Sequence, residues 1–258
     1  MAKYKTAEDW WHATLTGDDP EFPLRFLRGV WSSLPQGPRC RFCNAPYHGV
    51  GAPLMKLMGK EPSKLTPTLC RQCYDVAASK IGGAEVEASF LFADVRGSTT
   101  LAENMSATEF GKMINHFYAT ALDILLRHEA WCDRLVGDEV IGIFVPGFAG
   151  AQHAKRAIEA AQELLRAVVN VPIGAGVHHG VAFIGAMGAQ GKASDVTALG
   201  DTVNIAARLA SKASAGELLI SDVAYSASGI DLGNLESRQL ELKGKSESVG
   251  VRVWHVEK

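Results

Sequence analysis

Two aspartates stand where apolar, strand-like runs must turn. Asp94 follows Phe92-Ala93 and leads into Val95-Arg96-Gly97-Ser98-Thr99, and Asp138 follows Arg134-Leu135-Val136-Gly137 and precedes Glu139. Carboxylates at neighbouring strand ends suit a pair of divalent ions gripping a triphosphate, because Mg²⁺ takes one or two protein carboxylates and fills its other positions with phosphate oxygen and water. A third segment, Gly200-Asp201-Thr202-Val203-Asn204-Ile205-Ala206-Ala207-Arg208, sets an amide and a guanidinium four residues apart on one helical face. Metal, phosphate and a charge clamp together point to phosphoryl chemistry on a nucleotide. A different chemistry stands earlier in the chain. Cys40-Arg41-Phe42-Cys43 and Cys70-Arg71-Gln72-Cys73 are two C-x-x-C knuckles, and four thiolates are the complement of a closed, structural tetrahedral zinc site. The stretch between them is longer than usual but holds Gly49, Gly51, Pro53 and Pro62, which suit a loop. The alternatives are a redox pair, which the doubled motif disfavours, and ordinary reduced thiols. The remaining cysteine, Cys132, lies in an apolar run and reads as a small core residue.

The elements that must position these groups follow from periodicity. Val86, Ala88, Phe90 and Phe92 share one face of a strand that ends at Asp94. Ser106-Ala107-Thr108-Glu109 is a capping box, after which Phe110, Met113, Ile114, Phe117, Ala121 and Leu125 trace an amphipathic helix. Two strands, 132–136 and 140–145, join through Gly137-Asp138, a hairpin signal. A second helix turns Ala154, Ala157, Ile158, Ala161, Leu164, Leu165 and Val168 inward, and Ile173, Ala175 and Val177 make a fourth strand. The order β-α-β-β-α-β is the ferredoxin-like arrangement, an α+β fold, and it brings Asp94 and Asp138 to the same end of one sheet. Further strands are expected over 179–184 and near Leu218 and Val251, with a helix near 202–212. His178 and His179 are read as structural residues at a turn, and 185–191 as a flexible, glycine-rich loop.

Residues 1–84 look different. Trp10, Trp11, Phe22, Phe26, Leu27, Val30 and Trp31 recur at helical spacing, which predicts helices packed on the zinc knuckles or the main domain; a partner-binding helix is the alternative. The division is therefore a helical, zinc-ribbon-like four-cysteine module over 1–84 and a catalytic domain over 85–258. Lys56, Lys60 and Lys64 read as a solvated face. A formal charge of −2 gives no general attraction to nucleic acid, and no apolar run has the length of a membrane helix. The opening Met1-Ala2-Lys3-Tyr4-Lys5 turns acidic and does not read as a signal peptide. A cytoplasmic protein with no nucleic-acid or membrane partner is expected.

The blocks around Asp94 and Val136-Gly137-Asp138, with the run from Gly200 to Leu209, resemble the signature segments of class III nucleotidyl cyclases. They stand in family order and at family spacing from about Val86 to Val256; the first 84 residues lie outside the resemblance. The resemblance implies that Asp94 and Asp138, with the Val95 carbonyl, hold two Mg²⁺ or Mn²⁺ ions. It implies that the backbone at Gly97, Ser98 and Thr99 approaches the phosphates, that Asn204 orients the ribose, and that Arg208 meets charge on the α-phosphate. Lys243 matches the lysine of the terminal phosphates, with Lys245 as a substitute.

Base selection departs from the family pattern. Where adenine-selecting relatives carry Lys and guanine-selecting ones Glu, this chain has Arg134. Arginine offers only donors, which reach adenine N1 but also the acceptor edge of guanine. The partner position, Thr197, resembles adenylyl cyclases, so ATP is favoured, with GTP and less so a pyrimidine nucleotide left open. Gly174 stands where some relatives place a phosphate-contacting Arg, so triphosphate binding is expected either to weaken or to be compensated by Arg96 or Lys245. In the family one active site is shared between two cyclase domains, so a chain with one such domain is expected to act as a homodimer. The rival readings are a diguanylate cyclase, whose Gly-Gly-Asp/Glu-Glu-Phe run is missing here, a non-catalytic nucleotide-sensing or dimerisation module, and a zinc-ribbon nucleic-acid binder.

Overall fold

The computed structural model describes residues 4–18, 28–31, 38–189, 192–242 and 247–256, without the side chains of 132–136 and 192–194. In chain order the elements are α1 (Ala7–Thr16), α2 (Ala52–Leu57), α3 (Arg71–Ser79), β1 (Gly82–Val95), α4 (Ser98–Asn104), α5 (Ala107–Arg127), β2 (Trp131–Val136), β3 (Glu139–Phe144) and α6 (Pro146–Ala149). Then come α7 (His153–Ala167), β4 (Ile173–Ala189), β5 (Lys192–Leu199), α8 (Asp201–Lys212), β6 (Glu217–Ser221), α9 (Asp222–Ser228), β7 (Glu236–Leu240) and β8 (Val249–His255). The chain forms two compact units. One comprises Met1–Glu87, Val145–Ala151 and Val181–Gly200, the other Ala88–Phe144, Gln152–Gly180 and Asp201–Lys258.

In the second unit the strands run β2-β3-β1-β4-β6-β8-β7. The first four stand in the order that the expected βαββαβ arrangement requires, and β3 pairs antiparallel with both β1 and β2. β1 is buried on both faces from Ala88 to Ala93, which explains its unbroken apolar run. α5 begins at the predicted capping box, with Ser106 accepting from Glu109 N and the Glu109 carboxylate accepting from Ser106 N. Its buried stripe is Ile114, Phe117, Ala121, Ile124 and Leu125; Phe110 and Met113, expected inward, are only half-buried. Ile205 and Leu209 of α8 pack with Leu219, Leu242, Val251 and Val253 in a second core, which fixes the opposite face of α8 outward.

Two expectations fail here. His178 and His179 do not sit at a turn, and 185–189 is not loop: β4 runs unbroken from Ile173 to Ala189. Ser89 Oγ lies 3.2 Å from His153 Nδ1 and 3.1 Å from His179 Nδ1, and His178 Nδ1 lies 2.8 Å from Ser221 Oγ. The histidines are thus satisfied polar groups of the interior, as expected of a structural role. The glycines serve proximity rather than a turn. In the first unit a Cβ on Gly185 would stand 2.2 Å from the Gly82 carbonyl oxygen and 2.4 Å from Gly83 Cα, and one on Gly83 would stand 2.4 Å from the Ile184 carbonyl oxygen. β5 pairs antiparallel with this part of β4.

The first unit also carries the cysteines. α1 buries Trp11 and Leu15 completely; Trp11 Nε1 donates to the Lys80 carbonyl at 2.7 Å, and its ring meets Phe42 edge-on at 6.0 Å. Phe42 in turn packs edge-on against Phe148 of α6. Helices packed on the knuckles, the expected reading of the N-terminal aromatics, therefore holds for α1. Phe22, Phe26 and Leu27 fall outside the described residues.

Candidate active site and four-cysteine centre

β1 and β3 meet antiparallel at their ends, with Asp94 opposite Glu139 and Val95 N donating to the Asp138 carbonyl at 3.1 Å. This pairing brings three carboxyl groups together. Burial is the main cause that lifts the Asp94 carboxyl above its usual range; Asp138 adds to it, while Arg96 pulls the other way. Burial, and then the charges of Asp94 and Asp138, push Glu139 up to about 7. Arg96 answers the cluster. Its Nη2 makes a close ion pair with Asp94 Oδ2, Nε donates to the Asp94 carbonyl at 3.3 Å, and Nη1 donates to the Ser211 carbonyl at 3.0 Å. Tyr118 of α5 donates its hydroxyl to the Gly137 carbonyl at 2.7 Å, which fixes the hairpin tip beside Asp138. Crowded, partly buried carboxylate oxygens answered by a cation are the donor set that a hard divalent ion takes.

Gly97, in the left-handed region at φ +66°, turns the chain from Asp94 into α4, whose first turn has no side-chain cap. The N–H groups around Ser98 and Thr99 therefore point outward from a helix start. On α8, Thr202, Ile205, Ala206, Leu209 and Ala210 face inward; Asn204 is exposed and Arg208 half-exposed on the other side. The expected shared face is present.

Arg134 stands opposite Ile141 just after a bulge in β2, and its side chain lies outside the described atoms. Thr197 belongs to the first unit, 7% exposed and paired with Gly185. Lys243 and Lys245 lie outside the described residues. Gly174 has a physical reason: a Cβ there would stand 2.7 Å from the Ala213 carbonyl oxygen, so no arginine fits this backbone. Glu139 and Tyr118 were not foreseen as site residues. The only sequence signal for Glu139 was its place beside Asp138.

The four sulfurs of Cys40, Cys43, Cys70 and Cys73 lie within 4.8 Å of one another, all buried. Asn44 N donates to the Cys40 carbonyl and Cys40 N to the Ala45 carbonyl, both at 2.9 Å, which folds the first knuckle into a tight turn. The second knuckle opens α3, where Cys70 is the N-cap and its sulfur accepts from Cys73 N at 3.5 Å. The long stretch between the knuckles holds α2 and returns through a bridge pairing Pro62 with Cys70. Four sulfurs at about 2.3 Å from a zinc ion form a tetrahedron with edges of roughly 3.8 Å, and Cys43 and Cys70 are 3.8 Å apart. The residues fit a single tetrahedral ion. One expectation is corrected here. Lys56 and Lys64 are exposed, but Lys60 is buried with Nζ 3.9 Å from Cys43 Sγ. Burial works against its ammonium, yet the four sulfurs outweigh it and hold its pKa above that of free lysine.

No helix among the described residues is long and apolar enough to cross a membrane. Residues 84–253 match the family model described as the adenylate and guanylate cyclase catalytic domain. The chain is 28% identical over 178 residues to the terminal-differentiation-specific adenylate cyclase of Dictyostelium discoideum, a match covering 63% of this chain and 8% of that one. It spans at most 30% of the length of the first curated relatives it matches. Among solved structures, the adenylyl cyclase CyaB from P. aeruginosa superposes with a TM-score of 0.60 at 27% identity, over 67% of this chain and 96% of that one. The guanylyl cyclase Cya2 superposes at 0.62 and 24% identity, over 67% and 93%, and speaks for the fold alone.

Proposed function

We propose that this chain, which belongs to the adenylate and guanylate cyclase catalytic domain family, converts ATP into 3′,5′-cyclic AMP and pyrophosphate. The observation that carries the reading is the carboxylate cluster of Asp94, Asp138 and Glu139 at the β1–β3 strand ends, answered by Arg96. Asp94 and Asp138, with the Val95 carbonyl, would hold two Mg²⁺ or Mn²⁺ ions. When bound, such ions lower the pKa of the ribose 3′-hydroxyl and neutralise charge on the leaving pyrophosphate. The N–H groups at Gly97, Ser98 and Thr99 meet phosphate oxygens, Asn204 orients the ribose, and Arg208 stabilises charge on the α-phosphate as the 3′-oxygen attacks in line. Lys243 steadies the terminal phosphates. Positioning and charge stabilisation carry the rate in this scheme, with no protein general base required.

The site is shared between two copies of the chain. Arg96 ties the Asp94 end of β1 to Ser211, near the end of α8. Asn204 lies seven residues earlier, about 10 Å up the helix axis at 1.5 Å per residue. That separation supports a head-to-tail homodimer in which one copy supplies the metal carboxylates and its partner the Asn204–Arg208 face. The N-terminal module over 1–84 carries one structural zinc on its four cysteines, ahead of the catalytic region over 85–258.

Thr197, with no glutamate at the position of Arg134, favours adenine. Guanine is the second reading, because the donors of Arg134 suit its O6/N7 edge. Mass spectrometry of products from ATP, GTP, CTP and UTP, each with Mg²⁺ and with Mn²⁺, tests both. Dominant cyclic AMP supports the adenylyl reading, cyclic GMP or a cyclic pyrimidine replaces it, and no cyclic product with any pair sinks catalysis by the isolated chain.

A further inference from the structure

Lys60 is a buried charge that the cyclase chemistry does not use. It is 5% exposed, its backbone N–H donates to the Met55 carbonyl at 2.8 Å, and Met55 is itself buried at the centre of α2. The side chain is therefore held rather than trailing in solvent. Its Nζ lies 3.9 Å from the sulfur of Cys43, one of the four buried sulfurs gathered within 4.8 Å. An ammonium taken out of water is strongly disfavoured unless an anion answers it. Four thiols carry no charge, and neither do two disulfides, whereas four thiolates on a divalent ion carry a net charge of −2. Two of the other sulfurs have backbone donors: Cys40 Sγ accepts from Cys70 N at 3.2 Å, and Cys70 Sγ accepts from Cys73 N. Cys43 Sγ is the one that faces the ammonium.

We propose that Lys60 is the counter-charge of the four-cysteine centre, holding Cys43 as a metal-bound thiolate and damping its reactivity toward electrophiles. The inference rests on the reading of those cysteines as a metal centre. With Lys60 in place the centre and its surroundings carry −1 rather than −2, and a lone pair of Cys43 points toward a cation rather than toward solvent. Lys60 is a positioning residue of the centre and touches no nucleotide.

The test uses the full-length, zinc-loaded protein beside Lys60→Met, which keeps the stem and loses the charge, and Lys60→Arg, which keeps the charge. Zinc per chain is measured first by elemental analysis. Iodoacetamide is then added, zinc release is followed with a chromophoric chelator, and the first alkylated cysteine is found by peptide mass spectrometry. In the reaction read out, the Cys43 sulfur attacks the reagent's methylene carbon; a sulfur–carbon bond forms, the carbon–iodine bond breaks, and iodide leaves. Lys60→Met should release zinc roughly ten-fold faster, the lower end of what losing an outer-shell partner does to a metal site. Cys43 should be modified first, and Lys60→Arg should behave as wild type. Equal release from wild type and Lys60→Met overturns the proposal, as does Lys60→Arg proving as labile as Lys60→Met. Should Lys60→Met fail to load, tetrahedral Co²⁺ absorption retained in Lys60→Arg supports the charge role, and its loss there overturns it. A wild type that takes up no zinc and presents four freely alkylated thiols refutes the metal centre itself, a result separate from unchanged lability in a loaded protein.

Discussion

Glu139 offers a quantitative test of the carboxylate cluster that needs no turnover. Its carboxyl titrates near 7 rather than the ordinary 4.5, because burial and then Asp94 and Asp138 disfavour its charge. A raised acid binds its proton more tightly in the folded than in the unfolded chain, so stability falls as pH rises from about 4.5 to about 7 and this contribution is flat above. At about 1.4 kcal/mol per pKa unit the full shift would amount to roughly 3 kcal/mol, and screening of a half-buried group reduces this to about 1–2 kcal/mol. Glu139→Gln removes the ionisation and keeps the shape. In buffer without added Mg²⁺ or Mn²⁺, the variant and wild type should melt together near pH 5. By pH 8 the variant should melt about 3–6 °C higher, at the usual 2–4 °C per kcal/mol for a chain of this size. Thermal melts by circular dichroism at half-unit pH intervals supply the comparison. Melting temperatures that stay parallel from pH 5 to 8 would refute the idea that three like charges crowd this corner. Saturating Mg²⁺ should narrow the gap at pH 8, since an ion on the cluster supplies the charge that the wild type lacks.

Other expectations concern single positions. Arg208→Ala should lower cyclisation by about 10²–10³ with an unchanged circular dichroism spectrum, as removal of a transition-state donor does; near-normal turnover would remove Arg208 from the mechanism. Asp138→Ala should abolish metal-dependent product formation and leave the dimer intact by light scattering. Gly147→Ala should destabilise the first unit by about 1–3 kcal/mol by overpacking, because its Cβ would stand 2.2 Å from the Thr14 carbonyl oxygen and 2.8 Å from that of Leu15; hydrogen exchange at α1 reports it. Stripping metal with a strong chelator should lift exchange protection over 38–79 before it affects β1 to β3, since a structural zinc site supplies folding free energy directly.

Much of this arrangement could be read before any coordinates. The apolar run of β1, the capping box at Ser106 and the Gly137-Asp138 turn are local signals, and together they dictated the order β2-β3-β1-β4 that brings Asp94 to Asp138. What escaped was of two physical kinds. A glycine needed for an unusual φ and a glycine needed because a neighbour leaves no room for Cβ look the same in sequence, so Gly185 read as the end of a strand although β4 continues through it. Polar edge elements also escaped. β7 reads Glu-Ser-Arg-Gln-Leu and exposes most of its residues at the end of the sheet, so it carries no apolar alternation to find. Burial of Lys60 had no local signal at all, because a lysine in a polar stretch is buried only by what the fold brings to it.

The approach of Gly185 to Gly82 and Gly83 has a consequence for how this family could be compared. Paired changes between relatives reveal contacts only where each partner can vary and the other can compensate. At this crossing neither residue can grow, and no smaller residue exists to make room for a larger one opposite. A substitution at Gly83 or Gly185 would be lost rather than answered by a second. This backbone crossing should therefore be silent to covariation while tolerating almost no exchange. A saturation-mutagenesis screen would find it where co-evolution statistics would not.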